Sequence, residues 1–99
     1  MTHKIICIAK FIAKVGEKEQ LKNALNNLVT LTRKEAGCIS YTLNEGLDNP
    51  NVITVIEVFK DLASFELHSN SPYITNFKGI LGDLVDTDQI SVSLHKEIS

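Results

Sequence analysis

Two side chains in this chain have the types and spacing to exchange protons with a ligand. Glu57 stands in Val55-Ile56-Glu57-Val58-Phe59, a run of apolar, β-branched and aromatic residues, and His68 follows 11 residues later in Ser64-Phe65-Glu66-Leu67-His68. A carboxylate among apolar neighbours is poorly hydrated, which suits it to take or give a proton. An imidazole changes charge near neutral pH, which suits it to the same task or to orienting a carboxylate. The pair is the catalytic candidate. Either residue also has an ordinary reading, Glu57 as a carboxylate held by a basic partner and His68 as a helix-end or core histidine.

Around them, Tyr41 and Tyr73 have hydroxyls able to bond a ligand oxygen, and Asn44 has an amide for a carbonyl. Phe59, Phe65 and Phe77, with Phe11, are enough to wall an aromatic ligand, or simply to fill a core. No metal-ligand spacing occurs: His3, His68 and His95 are scattered, and Cys7 and Cys38 lie far apart. The two thiols are expected to be reduced core residues of a cytoplasmic protein. No metal and no cofactor is expected.

The elements that must position these groups fit one domain over residues 1–99. The composition, 43% hydrophobic and 22% charged, belongs to a folded chain. Formal net charge is −2 with both signs mixed along the sequence, so there is no basic stripe for nucleic acid and no basic cluster for a membrane surface. No apolar run approaches the roughly 20 residues of a membrane span. The apolar stretch after Met1-Thr2-His3-Lys4 is broken at Lys10 and Lys14 and reads as a strand rather than a secretion signal.

Residues 4–13 are apolar on both faces of a strand, with Ile6, Ile8 and Ile12 on one side and Ile5, Cys7, Ala9 and Phe11 on the other. Lys14-Val15-Gly16 turns the chain. Leu21, Ala24, Leu25, Leu28 and Leu31 recur at helical spacing over 17–35, with Arg33 and Lys34 in the last turn and Gly37 placed to end the helix. Residues 38–46 alternate, with Ile39, Tyr41 and Leu43 on one face, and 47–51 is a turn rich in breakers. The strand over 52–59 is again apolar on both faces, apart from Thr54 and Glu57. Asp61 caps a helix carrying Leu62, Ala63, Phe65 and Leu67. Ser71-Pro72 starts a second helical piece over 73–81, weakened at its end by Gly79 and Gly82. The last strand is 88–96, with Ile90, Val92 and Leu94 inward.

Strand, helix, strand, strand, helix, strand, with the first and third strands apolar on both faces, predicts an α+β ferredoxin-like βαββαβ fold. Its four-stranded antiparallel sheet has the order 4-1-3-2. The helices cover one face of that sheet. The other keeps apolar side chains and would be a large exposed patch, so a homodimer through that face is expected.

Several stretches together resemble the antibiotic biosynthesis monooxygenase family. They are Phe11-Ile12-Ala13-Lys14-Val15-Gly16 before the acidic start of a helix, and Arg33-Lys34-Glu35-Ala36-Gly37-Cys38-Ile39-Ser40-Tyr41 after it. Asp48-Asn49-Pro50, the Glu57 strand, and the His68 segment running into Ser71-Pro72-Tyr73 complete the set. The likeness covers residues 4 to about 82. It implies a dimeric α/β-barrel of ferredoxin-like subunits. The family's oxygenases act on phenols or quinols without metal or flavin, while other members are small-molecule isomerases or have no known reaction. The chain departs from the common pattern at Val15, where Pro is usual, and at Phe59, where Trp or Tyr is usual, and it has no Trp. Haem-degrading relatives need an Asn, a Trp and a His where this chain has Ala9, His68 and Lys78, which speaks against haem degradation.

What the resemblance implies for the site is a small aromatic or quinol-like ligand that loses a phenolic proton to His68, with Glu57 assisting, and whose anion then reacts with dioxygen. Two other readings use the same residues. A tautomerase or isomerase would need a cation for a phosphate, with Arg33 or Lys78 available, and a non-catalytic ligand-binding or stress-response barrel would need only the dimer.

Overall fold

The computed structural model describes residues 3–99; Met1 and Thr2, the start of the expected domain, lie outside the described residues. Its elements are β1 (Ile5–Ile12), α1 (Lys18–Thr32), β2 (Cys38–Glu45), β3 (Val52–Phe59), α2 (Leu62–Ser69), α3 (Pro72–Leu84) and β4 (Ser91–Lys96), with a 3₁₀ turn at Thr87–Gln89 before the last strand. The sheet is antiparallel with order β2-β3-β1-β4, which is the expected order read from the other edge. The α+β ferredoxin-like architecture is therefore the one that the alternation of doubly apolar and half-apolar strands demands.

Alternation divides β1 and β3 between two environments. Cys7, Ala9 and Phe11 of β1 and Ile53, Val55, Glu57 and Phe59 of β3 are buried on the helix side, where Leu21, Leu25 and Leu28 of α1 and Ile74, Phe77 and Leu84 of α3 pack over them. The opposite face carries the cross-strand pairs Ile6–Val58 and Ile8–Ile56 at its centre, only partly shielded. Gly16 turns the chain out of β1 with φ 82°, a backbone region that glycine enters without a Cβ clash.

The structure corrects several local expectations. Helix α1 stops at Thr32 rather than 35, because the chain folds into two tight turns: the Glu35 N–H donates to the Thr32 carbonyl and the Cys38 N–H to the Glu35 carbonyl. Arg33 and Lys34 thus lie beyond the helix. Gly37 is not its left-handed cap either. A Cβ at Gly37 would stand 2.3 Å from the Ser64 Cβ, so glycine is there to let this turn press against the start of α2. A bulge between Cys38 and Ser40 takes Ile39 off the Tyr41 face and leaves it exposed.

Helix α2 is capped as expected, Asp61 accepting the Ser64 N–H at 2.8 Å, but Leu62 and Leu67 point outward and its buried side chain is His68. Helix α3 continues through Gly79 and Gly82 because its end is tied to the β1 turn, Lys14 Nζ donating to the Gly82 carbonyl and the Lys14 N–H to the Leu84 carbonyl. The last strand starts at Ser91. Val92 and Leu94 do lie on the helix side, opposite Ala9 and Cys7, yet both stay exposed.

Two glycines give opposite expectations. Gly37→Ala forces the α1–β2 turn away from Ser64 and should lower unfolding free energy by about 1–3 kcal/mol. Gly79, in the interior of α3 with open space around it, should give about 0.5–1 kcal/mol of added stability on change to alanine. Urea unfolding of both variants checks the pair; equal effects would contradict the Gly37–Ser64 contact.

Candidate functional site

Strand register sets the first line of the site. Cys7 of β1 and Tyr41 of β2 both pair with Glu57 of β3, so the three side chains form one row across the helix face of the sheet. All three are buried, Glu57 with 6% of its surface exposed. Burial first, and the Glu57 carboxylate second, push the Cys7 thiol up to about 12 and raise the Tyr41 phenol in the same direction. Both therefore remain protonated beside the carboxylate.

Helix α2 supplies the second line. Phe65 and His68, three residues apart, share the face of α2 turned to the sheet. His68 is 4% exposed and lies over Phe59, ring centroids 4.8 Å apart, with Phe65 beside both. Its Nδ1 is 2.9 Å from Glu35 Oε2, and its Nε2 is 3.3 Å from Glu57 Oε1. The first contact is a hydrogen bond. The second is within ion-pair range but misaligned, and Glu57 Oε1 is a buried oxygen with no hydrogen-bond partner. Tyr73 of α3 donates its hydroxyl to the same Glu35 Oε2. Burial opposes charge on the imidazole, but Glu57 and Glu35 together outweigh it and hold the His68 pKa above the ordinary histidine value. The Tyr73 phenol is pushed up to about 12, by burial first and then by its bond to Glu35.

A cavity of about 420 Å³ opens between sheet and helices, inside the range of roughly 300–1,000 Å³ usual for small-molecule sites. Cys7, Tyr41, Glu57 and His68 form a polar group in its lining. Ala9, Phe11, Leu28, Val55, Phe65 and Phe77 make much of the rest apolar, and exposed Val92 and Lys78 stand where it meets solvent. An unsatisfied carboxylate oxygen beside an imidazole, facing an apolar space, can accept a proton from a ligand hydroxyl.

Of the residues singled out from sequence, Glu57, His68, Tyr41, Phe65 and Phe77 come together on this cavity. Phe59 lies beneath His68 and does not line it. Tyr73 is turned to Glu35 and lines a smaller cavity, of about 220 Å³, between α1 and α3. Asn44 is on the open face of the sheet, bonded to Thr42 and to the Thr54 carbonyl, away from the cavity. Arg33 is engaged: its Nε and Nη2 donate to the Tyr41 carbonyl at 3.1 and 2.7 Å.

Glu35 and Cys7 are the partners that sequence reasoning passed over. Glu35 sat inside the stretch 33–41 that carried the family likeness but was given no role of its own. Cys7 is signalled only by the β1–β3 register. Among the described residues, no group of three or more His, Cys, Asp or Glu is arranged to hold a metal ion, and no helix is long and apolar enough to cross a membrane.

Comparison with known proteins bears on the family and the fold. A family model described as "Antibiotic biosynthesis monooxygenase" matches residues 4–79. The chain is 29% identical over 85 residues to "Putative monooxygenase Rv0793" of Mycobacterium tuberculosis, covering 86% of this chain and 83% of that protein. The solved structure of Rv0793 superposes with a TM-score of 0.90 at 26% identity, over 97% of this chain and 96% of that one. Protein SO0527 from Shewanella oneidensis superposes with a TM-score of 0.92 at 35% identity, over 98% and 93% of the two chains.

The raised His68 pKa makes stability depend on pH. Below about 6.5 the imidazole is charged in folded and unfolded chains alike and its ion pairs contribute fully. As pH rises, the unfolded chain loses the proton first, and the contribution disappears as pH passes through the higher folded value. Replacing His68 by Gln leaves two carboxylates facing a neutral group, at a cost of roughly 3–5 kcal/mol near pH 6. Urea unfolding should show the gap between wild type and His68→Gln shrinking as pH rises above the ordinary histidine range; a gap that widens there contradicts a charged His68.

Proposed function

The chain belongs to the antibiotic biosynthesis monooxygenase family, and from that premise we propose that it is a cofactor-independent monooxygenase that oxidises a small phenol or quinol with dioxygen. The observation that carries this reading is the unpartnered Glu57 Oε1, buried on an apolar cavity beside the His68 imidazolium. Such an oxygen is a ready acceptor for one ligand hydroxyl, and the aromatic walls suit the ring behind it.

Both ring nitrogens of His68 face carboxylates, so the base in this mechanism is Glu57, and His68 supplies the countercharge. Glu57 Oε1 takes the hydroxyl proton and the electron pair stays on the ligand oxygen. The phenolate, held near the imidazolium, passes an electron to dioxygen. Recombination at a ring carbon forms a C–O bond and a peroxide, which the Glu57 proton neutralises. Loss of water, carrying away the hydroxyl and ring hydrogens, leaves the quinone. Substrate and dioxygen balance quinone and water, so no external reductant enters. Tyr41 and Cys7, both protonated, share the row of Glu57 and line the same cavity as donors for a ligand oxygen. The apolar walls keep water from the peroxide.

The same reading includes a homodimer formed through the open sheet face, because Ile6, Ile8, Ile56 and Val58 otherwise meet water as one patch. It also places the protein in the cytoplasm, in keeping with its free thiols.

Oxygen uptake with a panel of quinols is the test. Glu57→Gln should lower kcat by about 100-fold or more, and no uptake by the wild type with any quinol would sink the oxygenase reading. In sedimentation equilibrium the wild type should run as a dimer and Ile8→Glu should shift it toward monomer; a monomeric wild type contradicts the sheet-face interface.

A further inference from the structure

Glu35 does not line the cavity, yet it makes the best-aligned contact to the imidazole that does. Its backbone is fixed on both sides, its N–H bonded to Thr32 and its carbonyl to the Cys38 N–H. The turn that carries it is docked on α2 through Gly37 and Ser64, and the Lys60 N–H donates to the Gly37 carbonyl at 2.9 Å, which joins it to the end of β3 as well. The carboxylate is thus held at a set distance from the helix that carries His68 and from the strand that carries Glu57. Its side chain keeps 20% exposure, against 5% for His68 and 8% for Glu57, so it is the least buried of the three.

We propose that Glu35 is a positioning residue for proton abstraction at Glu57. By accepting the His68 Nδ1–H it fixes the ring with Nε2–H toward Glu57 and keeps the imidazole charged in a buried place. This deepens, and rests on, the reading of the cavity as a site where a ligand hydroxyl gives up its proton. The groups that face His68 leave Glu35 no substitute. Tyr41 on β2 and Tyr73 on α3 are neutral phenols, Phe59 on β3 and Phe65 on α2 are apolar, and Cys7 on β1 is a neutral thiol turned to Glu57. Glu57 alone approaches the ring off-line. Remove the Glu35 charge and the ring is free to lose its Nδ1 proton or to flip, in either case with a weaker countercharge for the ligand anion.

Two readouts on the full-length chain test this. In an NMR titration of the His68 ring, Glu35→Gln should lower the midpoint by about one pH unit or more relative to wild type. In oxygen uptake with a quinol, the same variant should lose roughly tenfold or more in kcat with KM held within about twofold. The alkaline limb of its kcat profile should move to lower pH in step with the NMR midpoint. Should Glu35→Gln not fold, Glu35→Asp, which keeps the charge but draws it back, is expected to show both shifts in smaller measure. Tyr73→Phe, which loosens the same carboxylate without removing its charge, should leave the His68 midpoint above the ordinary histidine value. An unmoved midpoint in Glu35→Gln overturns the proposal. So does an active variant whose kcat and alkaline limb match wild type. Absence of uptake by the wild type overturns the oxygenase reading and the catalytic half of this one, and the NMR titration still decides whether Glu35 holds the ring.

Discussion

A buried imidazole between two carboxylates ties helix α2 to the sheet and to the turn before β2. Helix α2 is short and turns two of its leucines to solvent, so its hold on the sheet rests on Phe65, His68 and the Asp61 cap. One ion pair would be a weak device for this. At an effective dielectric near 20, two charges about 4 Å apart attract by roughly 4 kcal/mol, and burying each ion costs several kcal/mol. A single pair therefore comes close to break-even. Two carboxylates on one imidazole tip the balance, and the raised His68 pKa is the sign that they do.

The geometry of the cluster depends on backbone choices some distance from it. Register between β1, β2 and β3 puts Cys7, Tyr41 and Glu57 in one row, and the bulge at Ile39 sets that register for β2. Gly37 lets the turn carrying Glu35 press onto α2. Arg33, grasping the Tyr41 carbonyl, fastens the same turn to β2. Four elements thus converge on His68, each held by something other than His68 itself. That independence matters for chemistry, since a cluster held only by its own charges would rearrange whenever a ligand proton moved.

Much of this was legible in the sequence because period-two alternation is a strong signal. Apolar residues on both faces marked β1 and β3 as central, and Glu57 stood out as the one carboxylate on a buried face. Capping chemistry at Asp61 and Ser71-Pro72 located α2 and α3. What stayed hidden had no local signature. His68 sits between exposed Leu67 and half-buried Ser69, and its i,i+3 spacing from Phe65 places it on the sheet side without explaining a buried imidazole; its charged partners, far away in sequence, explain it. Glu35 follows two cations and carries no local mark of its partner, because the early stop of α1 comes from turns and from contact with α2. Asn44 was misjudged for a related reason: alternation correctly grouped it with Ser40 and Thr42, but that row belongs to the open face, where its amide is already bonded.

Phe59 shows how a departure from the family's common residue fits the cluster. It is fully buried, directly beneath the His68 ring. A tyrosine or tryptophan there would bring a hydroxyl or an indole N–H that needs a partner when buried, and the nearby acceptors are the carboxylates that hold His68. Phenylalanine offers the ring face without the donor. It supports the imidazolium through its π-system and leaves the free oxygen of Glu57 to the cavity.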